Sequence, residues 1–140
     1  MTTACGFAIG VQDVRAVVVR SGVVRWHGAE PHDDARRLST AIAALVARMP
    51  KSAAGARTVV AIGPAWCQVK PLYGLPNLKQ PALIDQLVRE NHQAFFLSTG
   101  TPLVVAEVHH GRDGTPWGAT FDRAVLDEVV RALRAARMKI

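Results

Sequence analysis

Apolar residues in the first third of the chain fall in short runs that suit strands. Residues 4–10 (Ala-Cys-Gly-Phe-Ala-Ile-Gly) predict a buried strand, and Val14–Arg20 (Val-Arg-Ala-Val-Val-Val-Arg) a second. The tight link at Val11–Asp13 makes them an antiparallel hairpin. Ser21-Gly22 reads as a turn, after which Val23–His27 returns as a third strand. The period then changes from strand to helix. Leu38, Ile42, Leu45, Val46 and Met49 fall on one helical face, Asp33 or Asp34 can cap the start, and Pro50 stops it. Lys51–Ala56 is a loop of mostly small residues. Thr58-Val59-Val60-Ala61-Ile62 is a nearly continuous apolar run, which predicts a strand covered on both faces, and Gly63-Pro64 breaks it.

The second half repeats the mixture. Cys67–Leu75 is extended, but Pro71 has no N–H for a ladder, so the segment belongs at a sheet edge. Pro81 opens a helix whose face runs through Leu83, Ile84, Leu87, Val88 and Asn91 to Phe95. Residues 102–110 alternate, which directs Val104, Ala106 and Val108 at that helix and Glu107 and His109 at water. Arg112-Asp113-Gly114-Thr115 is a hairpin turn and Trp117–Phe121 the return strand. Asp122 caps a last helix with Leu126, Val129, Val130 and Leu133 as its core face, and Met138–Ile140 can begin another strand.

Composition narrows the classes. With 140 residues, 49% of them apolar and 20% charged, the chain is globular rather than disordered, collagen-like or a coiled coil. Its longest run without Asp, Glu, Lys or Arg, Asn91–Ala106, falls short of the ~20 residues that span a bilayer. The start, Met1-Thr2-Thr3-Ala4-Cys5, lacks the basic region of a secretory signal, so a cytoplasmic location is expected. Cys5 and Cys67 are expected to be thiols, the alternative being one Cys5–Cys67 bridge.

The net charge of +6 raises the question of nucleic acid. The basic excess is two in residues 1–50, three in 51–100 and one in 101–140, so no basic arm stands out. The one local cluster, Arg131, Arg134, Arg137 and Lys139, ends a helix whose first turns hold Asp122, Asp127 and Glu128; the helix dipole accounts for that order. Nucleic-acid binding is not expected.

Recognisable chemistry is sparse. The chain has no Gly-x-x-x-x-Gly-Lys-Ser/Thr, Gly-x-Gly-x-x-Gly or Gly-x-Ser-x-Gly. Glu107 and His109 share a strand face beside His110, but two ligands fall short of a metal site. Gly28 and Pro31 argue against a helix that would align His27 with Glu30, and His92 lies on a polar helix flank. The suggestive element is the first hairpin, Gly6 to Arg20, whose turn at Gly10 can set main-chain amides around a phosphate. A tight turn alone explains that glycine equally well.

That hairpin resembles the opening of actin-like ATPases, specifically the type IV pilus assembly protein PilM and its relatives. These include the secretion platform protein GspL and, more distantly, the cell-division protein FtsA. Gly6, Ile9, Gly10, Val14, Ala16 and Val17 match the pilus pattern Gly-Ile-Asp-Ile-Gly-Ser-Ser-Ser-Val-Lys-Ala-Val, and Arg15 keeps its basic position. Thr58–Ile62 with the break at Gly63-Pro64, then Tyr73-Gly74-Leu75-Pro76, resemble later parts of the family. The resemblance implies a mixed α/β fold. Residues 1–63 would form part of an actin-like (RNase H-like) lobe, and residues 64–140 a strand-helix-strand-strand (SHS2-like) subdomain with a returning helix.

Two departures weaken the implied ATP chemistry. The family's first-strand Asp corresponds to Ala8, and its small hydroxyl residues to Val11, Gln12 and Asp13. A methyl group cannot hold magnesium's water shell, and Asp13 would repel a phosphate. The family's second phosphate loop and adenine pocket have no counterpart in these residues. The resemblance therefore implies no cofactor at the degenerate hairpin Ala8, Gly10, Val11, Gln12 and Asp13, no metal and no catalysis. It implies a cytoplasmic scaffold of a pilus or secretion platform, peripheral to the inner membrane through a partner. That partner would be the cytoplasmic tail of a bitopic PilN-like protein, with self-association also open. The edge residues Lys70, Leu72 and Tyr73 are candidate contacts by strand addition, against the reading that Lys70 and Pro71 protect the edge. Lys51, Arg57, Lys70 and Lys79 favour an acidic or neutral tail. The alternatives are a residual nucleotide-binding fragment and an unrelated protein-binding module.

Overall fold

The computed structural model describes residues 2–140, Ala35 by its main chain only. They group into two units, residues 2–65 with 124–140, and residues 66–123. The first holds strands β1 (Thr3–Ile9), β2 (Asp13–Arg20), β3 (Val23–Pro31) and β4 (Arg57–Ile62), and helices α1 (Leu38–Arg48) and α4 (Arg123–Ala135), the latter from its second residue. The second holds β5 (Cys67–Pro71), α2 (Pro81–Glu90), α3 (His92–Phe95), β6 (Leu103–Val105), β7 (His109–His110) and β8 (Pro116–Asp122).

In the first unit the sheet order is β3-β2-β1-β4, antiparallel except for the β1–β4 pair. The turn between β2 and β3 is two residues long, with Ser21 at φ +53° and Gly22 at +77°; that mirror-image turn matches the twist of paired strands. The register sets Cys5 opposite Val18 and Thr58, Phe7 opposite Ala16, and Ile9 opposite Val14. All seven side chains are buried, and Leu38, Ile42 and Leu45 of α1 are buried completely. Burial of Cys5, whose Sγ lies 4.0 Å from the Ala53 carbonyl, pushes its thiol pKa up. Both cysteines are unbridged.

Of the two candidate caps Asp34 does the work. Its carboxylate accepts from the Arg36 N–H at 2.9 Å and opens a 3-10 turn, Ala35–Arg37, that leads into α1. Met49, expected within the helix, has already turned extended before Pro50.

Two expectations are corrected here. β4 is not covered on both faces, because Val59 is 60% exposed and Ala61 is exposed too. Ser39 of α1 hydrogen-bonds Glu128 of α4, so both helices lie on the same side of the sheet. That bond, with Arg131 alongside, holds the Glu128 carboxyl below its usual range. The core face of α4 is also rotated: Val125, Val129, Ala132 and Leu133 are buried, while Leu126 and Val130 are half-buried. The helix ends with Arg137 at φ +59°, where Met138 N–H donates to the Leu133 carbonyl and Arg137 N–H to that of Arg134. Where Met138–Ile140 is expected to begin another strand, the structure has a single bridge: Lys139 lies parallel to Arg57, and its carbonyl accepts from Thr58 N–H at 2.6 Å.

The second unit has the order β5-β8-β6, with β7 also on β8. Its core is small: Leu72, Ile84, Val88 and Phe96, joined by Leu75, Leu78, Phe95, Val105 and Val108. Gly118 is required there, since a Cβ would come within 2.7 Å of the Phe96 ring and 2.9 Å of Leu72. The helix expected to run to Phe95 is interrupted at Asn91, whose side-chain amide and main-chain N–H both donate to the Leu87 carbonyl.

The expected alternation over 102–110 fails halfway. Val105 pairs with Thr120 and His109 with Trp117, so four steps on one strand face three on the other. One surplus residue is a bulge, and it shifts the side-chain parity. Val105 and Val108 therefore pack on the core, whereas Val104 lies opposite Phe121 on the other parity. The Val108 N–H donates to Asp85 Oδ1 of α2 at 2.7 Å.

Candidate functional site

The β1–β2 turn is closed by its own main chain. Gly10 N–H donates to the Asp13 carbonyl at 2.9 Å, and a Cβ at Gly10 would stand 3.1 Å from that oxygen. His32 supports the turn from outside: its N–H donates to the Gln12 carbonyl, and its Nε2 lies 2.6 Å from the Gly10 carbonyl. Since the acceptor is a carbonyl, Nε2 carries the proton. The Asp13 carboxylate stands at the same turn and pairs with Arg15 at 3.0 Å. Val11 is 60% exposed and Gln12 exposed, so Ala8, Gly10, Val11, Gln12 and Asp13 do come together around one turn. The groups assigned there are a carboxylate, three carbonyls already used as acceptors, and a methyl at Ala8. Among the described residues no group of three or more His, Cys, Asp or Glu could hold a metal ion.

The uncovered face of the same sheet is a shallow groove of about 560 Å³. Its floor is made by small strand residues, Gly6, Ala8, Ala29 and Ala61, with Val17 and Val59, and Arg15 and His27 stand along it. The apolar run of β4, which predicts cover on both faces, hides this surface in the sequence. The signal that could have found it is the small-residue parity Ala4-x-Gly6-x-Ala8 on β1.

The second candidate is the edge strand β5, which pairs with β8 alone, as Pro71 requires. Leu72 N–H donates to the Pro116 carbonyl, so the even positions point their main-chain groups at β8 and the odd ones outward. Pro71 thus occupies an outward position without a donor, and Val69 is the outward position next to it within β5. Lys70 lies over the Phe96 ring with Nζ 5.5 Å from the centroid. Leu72 is buried in the core at 3% exposure, whereas Tyr73 is 77% exposed. Of the three candidate contacts Tyr73 alone projects its side chain into solvent. Val69 and Trp117, 62% and 40% exposed, share the other parity of this sheet.

No protein-family model and no curated protein matches this chain in sequence. Solved structures do match in fold. The chain superposes with a TM-score of 0.71 on the cytoplasmic domain of EpsL, an inner-membrane component of the type II secretion system of Vibrio cholerae. The identity is 11%, over 98% of this chain and 54% of that one. It matches a chain of the PilM-PilN type IV pilus biogenesis complex with a TM-score of 0.60 and 16% identity, over 97% of this chain and 45% of that one. The chain therefore has a GspL/PilM-like mixed α/β fold and spans about half the length of these structures. No helix among the described residues is long and apolar enough to cross a membrane.

Proposed function

We propose that this chain is a non-catalytic scaffold of a type II secretion or type IV pilus inner-membrane platform, holding the cytoplasmic tail of a bitopic PilN-like protein. The observation that carries the reading is the fold match over 97–98% of the chain to two proteins of such assemblies. In this reading the first unit is a partial actin-like lobe and residues 66–123 the SHS2-like subdomain. The chain sits on the cytoplasmic side, reaches the inner membrane through its partner, and binds neither ATP nor nucleic acid. The chemistry of the hairpin supports the absence of nucleotide: Asp13 repels phosphate, and Ala8 cannot hold hydrated magnesium.

Calorimetric titration of the purified chain with the cytoplasmic tail of its bitopic partner tests the proposal. Saturable binding in the micromolar range that weakens with salt is expected, together with no magnesium-dependent heat from ATP. Absence of tail binding at high micromolar concentration would sink the scaffold reading. Saturable ATP binding would favour a residual nucleotide site instead.

A further inference from the structure

Positive charge that is evenly spread along the sequence is gathered by the fold of the first unit. Arg20 lies opposite Thr3 on one side and Val23 on the other, and Arg57 lies opposite Ala4. All of these positions are at the sheet end remote from the Gly10 turn. Lys139 bridges to Arg57, and Arg20 and Arg25 line one recess with Pro50 and Ser52. Lys51 adjoins that recess along the chain, and Arg137 is two residues from Lys139. Six cations (Arg20, Arg25, Lys51, Arg57, Arg137 and Lys139) thus collect at one end, each of them exposed.

Acidic side chains are absent from the segments that build this end. No Asp or Glu occurs at residues 2–12, 14–29, 35–65 or 129–140. Asp13 and Glu30 stand at the opposite end of the sheet, where Asp13 pairs with Pro31 and Glu30 with Val14. None of the six cations makes an ion pair among the described residues. Val23 and Val24, on the strand that leaves the two-residue turn, are 49% and 55% exposed.

We propose that this end of the first unit docks directly on an anionic phospholipid surface, with the cations at headgroup level and Val23 and Val24 entering the interfacial layer. A cluster of cations without carboxylates, combined with exposed aliphatic side chains, suits a charged interface that is apolar just beneath. Single-stranded nucleic acid would call for exposed aromatic rings to stack on, and no exposed Phe, Tyr or Trp stands among these residues. The inference goes beyond the scaffold reading, which reaches the membrane only through a partner, and the two can fail separately.

Vesicle flotation with the full chain tests it. Binding is expected to phosphatidylcholine vesicles containing phosphatidylglycerol and not to pure phosphatidylcholine, with a steep decline towards about 0.15 M salt. Each cation near such a surface is worth about fivefold in partition, so Arg20→Glu with Arg57→Glu should lower binding by at least twentyfold, roughly. Arg25→Glu with Lys51→Glu provides a second pair should the first not fold. Arg89→Glu with Arg112→Glu changes net charge equally in the other unit and should cost less than about fivefold. Val23→Ser with Val24→Ser should remove the binding that survives added salt. Equal partition into neutral vesicles, no binding to anionic ones at low salt, or equal loss from both kinds of reversal would overturn the proposal. So would a single-stranded oligonucleotide that binds more tightly than anionic vesicles at the same salt.

Discussion

Both units are built on a four-stranded sheet, yet they secure their cores by different means. In the first, alternation runs unbroken along β1 and the paired part of β2, and completely buried Ile9, Val14, Val18, Leu38, Ile42 and Leu45 meet beneath it. In the second, β6 and β7 are out of step by one residue, and the core depends on polar fittings: Asp85 on the bulge, Gln68 on the Leu97 main chain, and a glycine where two side chains converge. A large aliphatic core tolerates imprecision at its rim because burial energy is non-directional. A small one relies on directional bonds, each of which has a specific way to fail.

The largest expected effect tests the aliphatic side. Leu45→Ala, at a position with 0% exposure, should cost about 2–5 kcal/mol in urea unfolding of the whole chain. A loss below 1 kcal/mol, roughly, would mean that the first core can collapse around a void and that the contrast is overstated. Next comes the bulge. Asp85→Ala leaves the half-buried Val108 N–H without its acceptor and should cost about 1–3 kcal/mol, while Asp85→Asn, which keeps an oxygen, should recover most of it. Hydrogen exchange at the Val108 amide reads the same event locally, and unchanged exchange in Asp85→Ala would remove Asp85 from the account. The smallest effect has the opposite sign. Thr120 is completely buried, and its hydroxyl has no partner among the described residues. Thr120→Val should therefore raise stability by about 1 kcal/mol, and a destabilised variant would point to an internal water that satisfies it.

The legible parts of the fold were those dictated by local chemistry. The first hairpin, the stop at Pro50 and the edge position of β5 each follow from a residue that permits little else. The misread parts depended on partners distant in sequence. Val125, Leu126, Val129 and Val130 form a stripe too broad to reveal which edge is buried, and the buried edge is the one that continues through Ala132 and Leu133. No residue near Val105 announces a bulge; Asp85, twenty residues earlier, holds it. The turn at Gly10 is legible because Ala8 to Asp13 are nearly contiguous and close a two-strand hairpin. The cationic end was not foreseen, because segmentwise charge counts cannot see four strand ends brought together.

The out-of-step segment also defines a reading frame. Glu107, exposed and without a partner residue on β8 in the ladder, is the natural surplus. Excising it would leave Ala106 opposite Ala119 and bring Val108 opposite Gly118, joining β6 and β7 into one continuous strand. Val105 and Val108 would still face the core, and His109 would keep Trp117 as its neighbour. Excising two residues would instead put every later side chain on the wrong side. This chain can therefore lose one residue at this point without exchanging inside for outside, and cannot lose two.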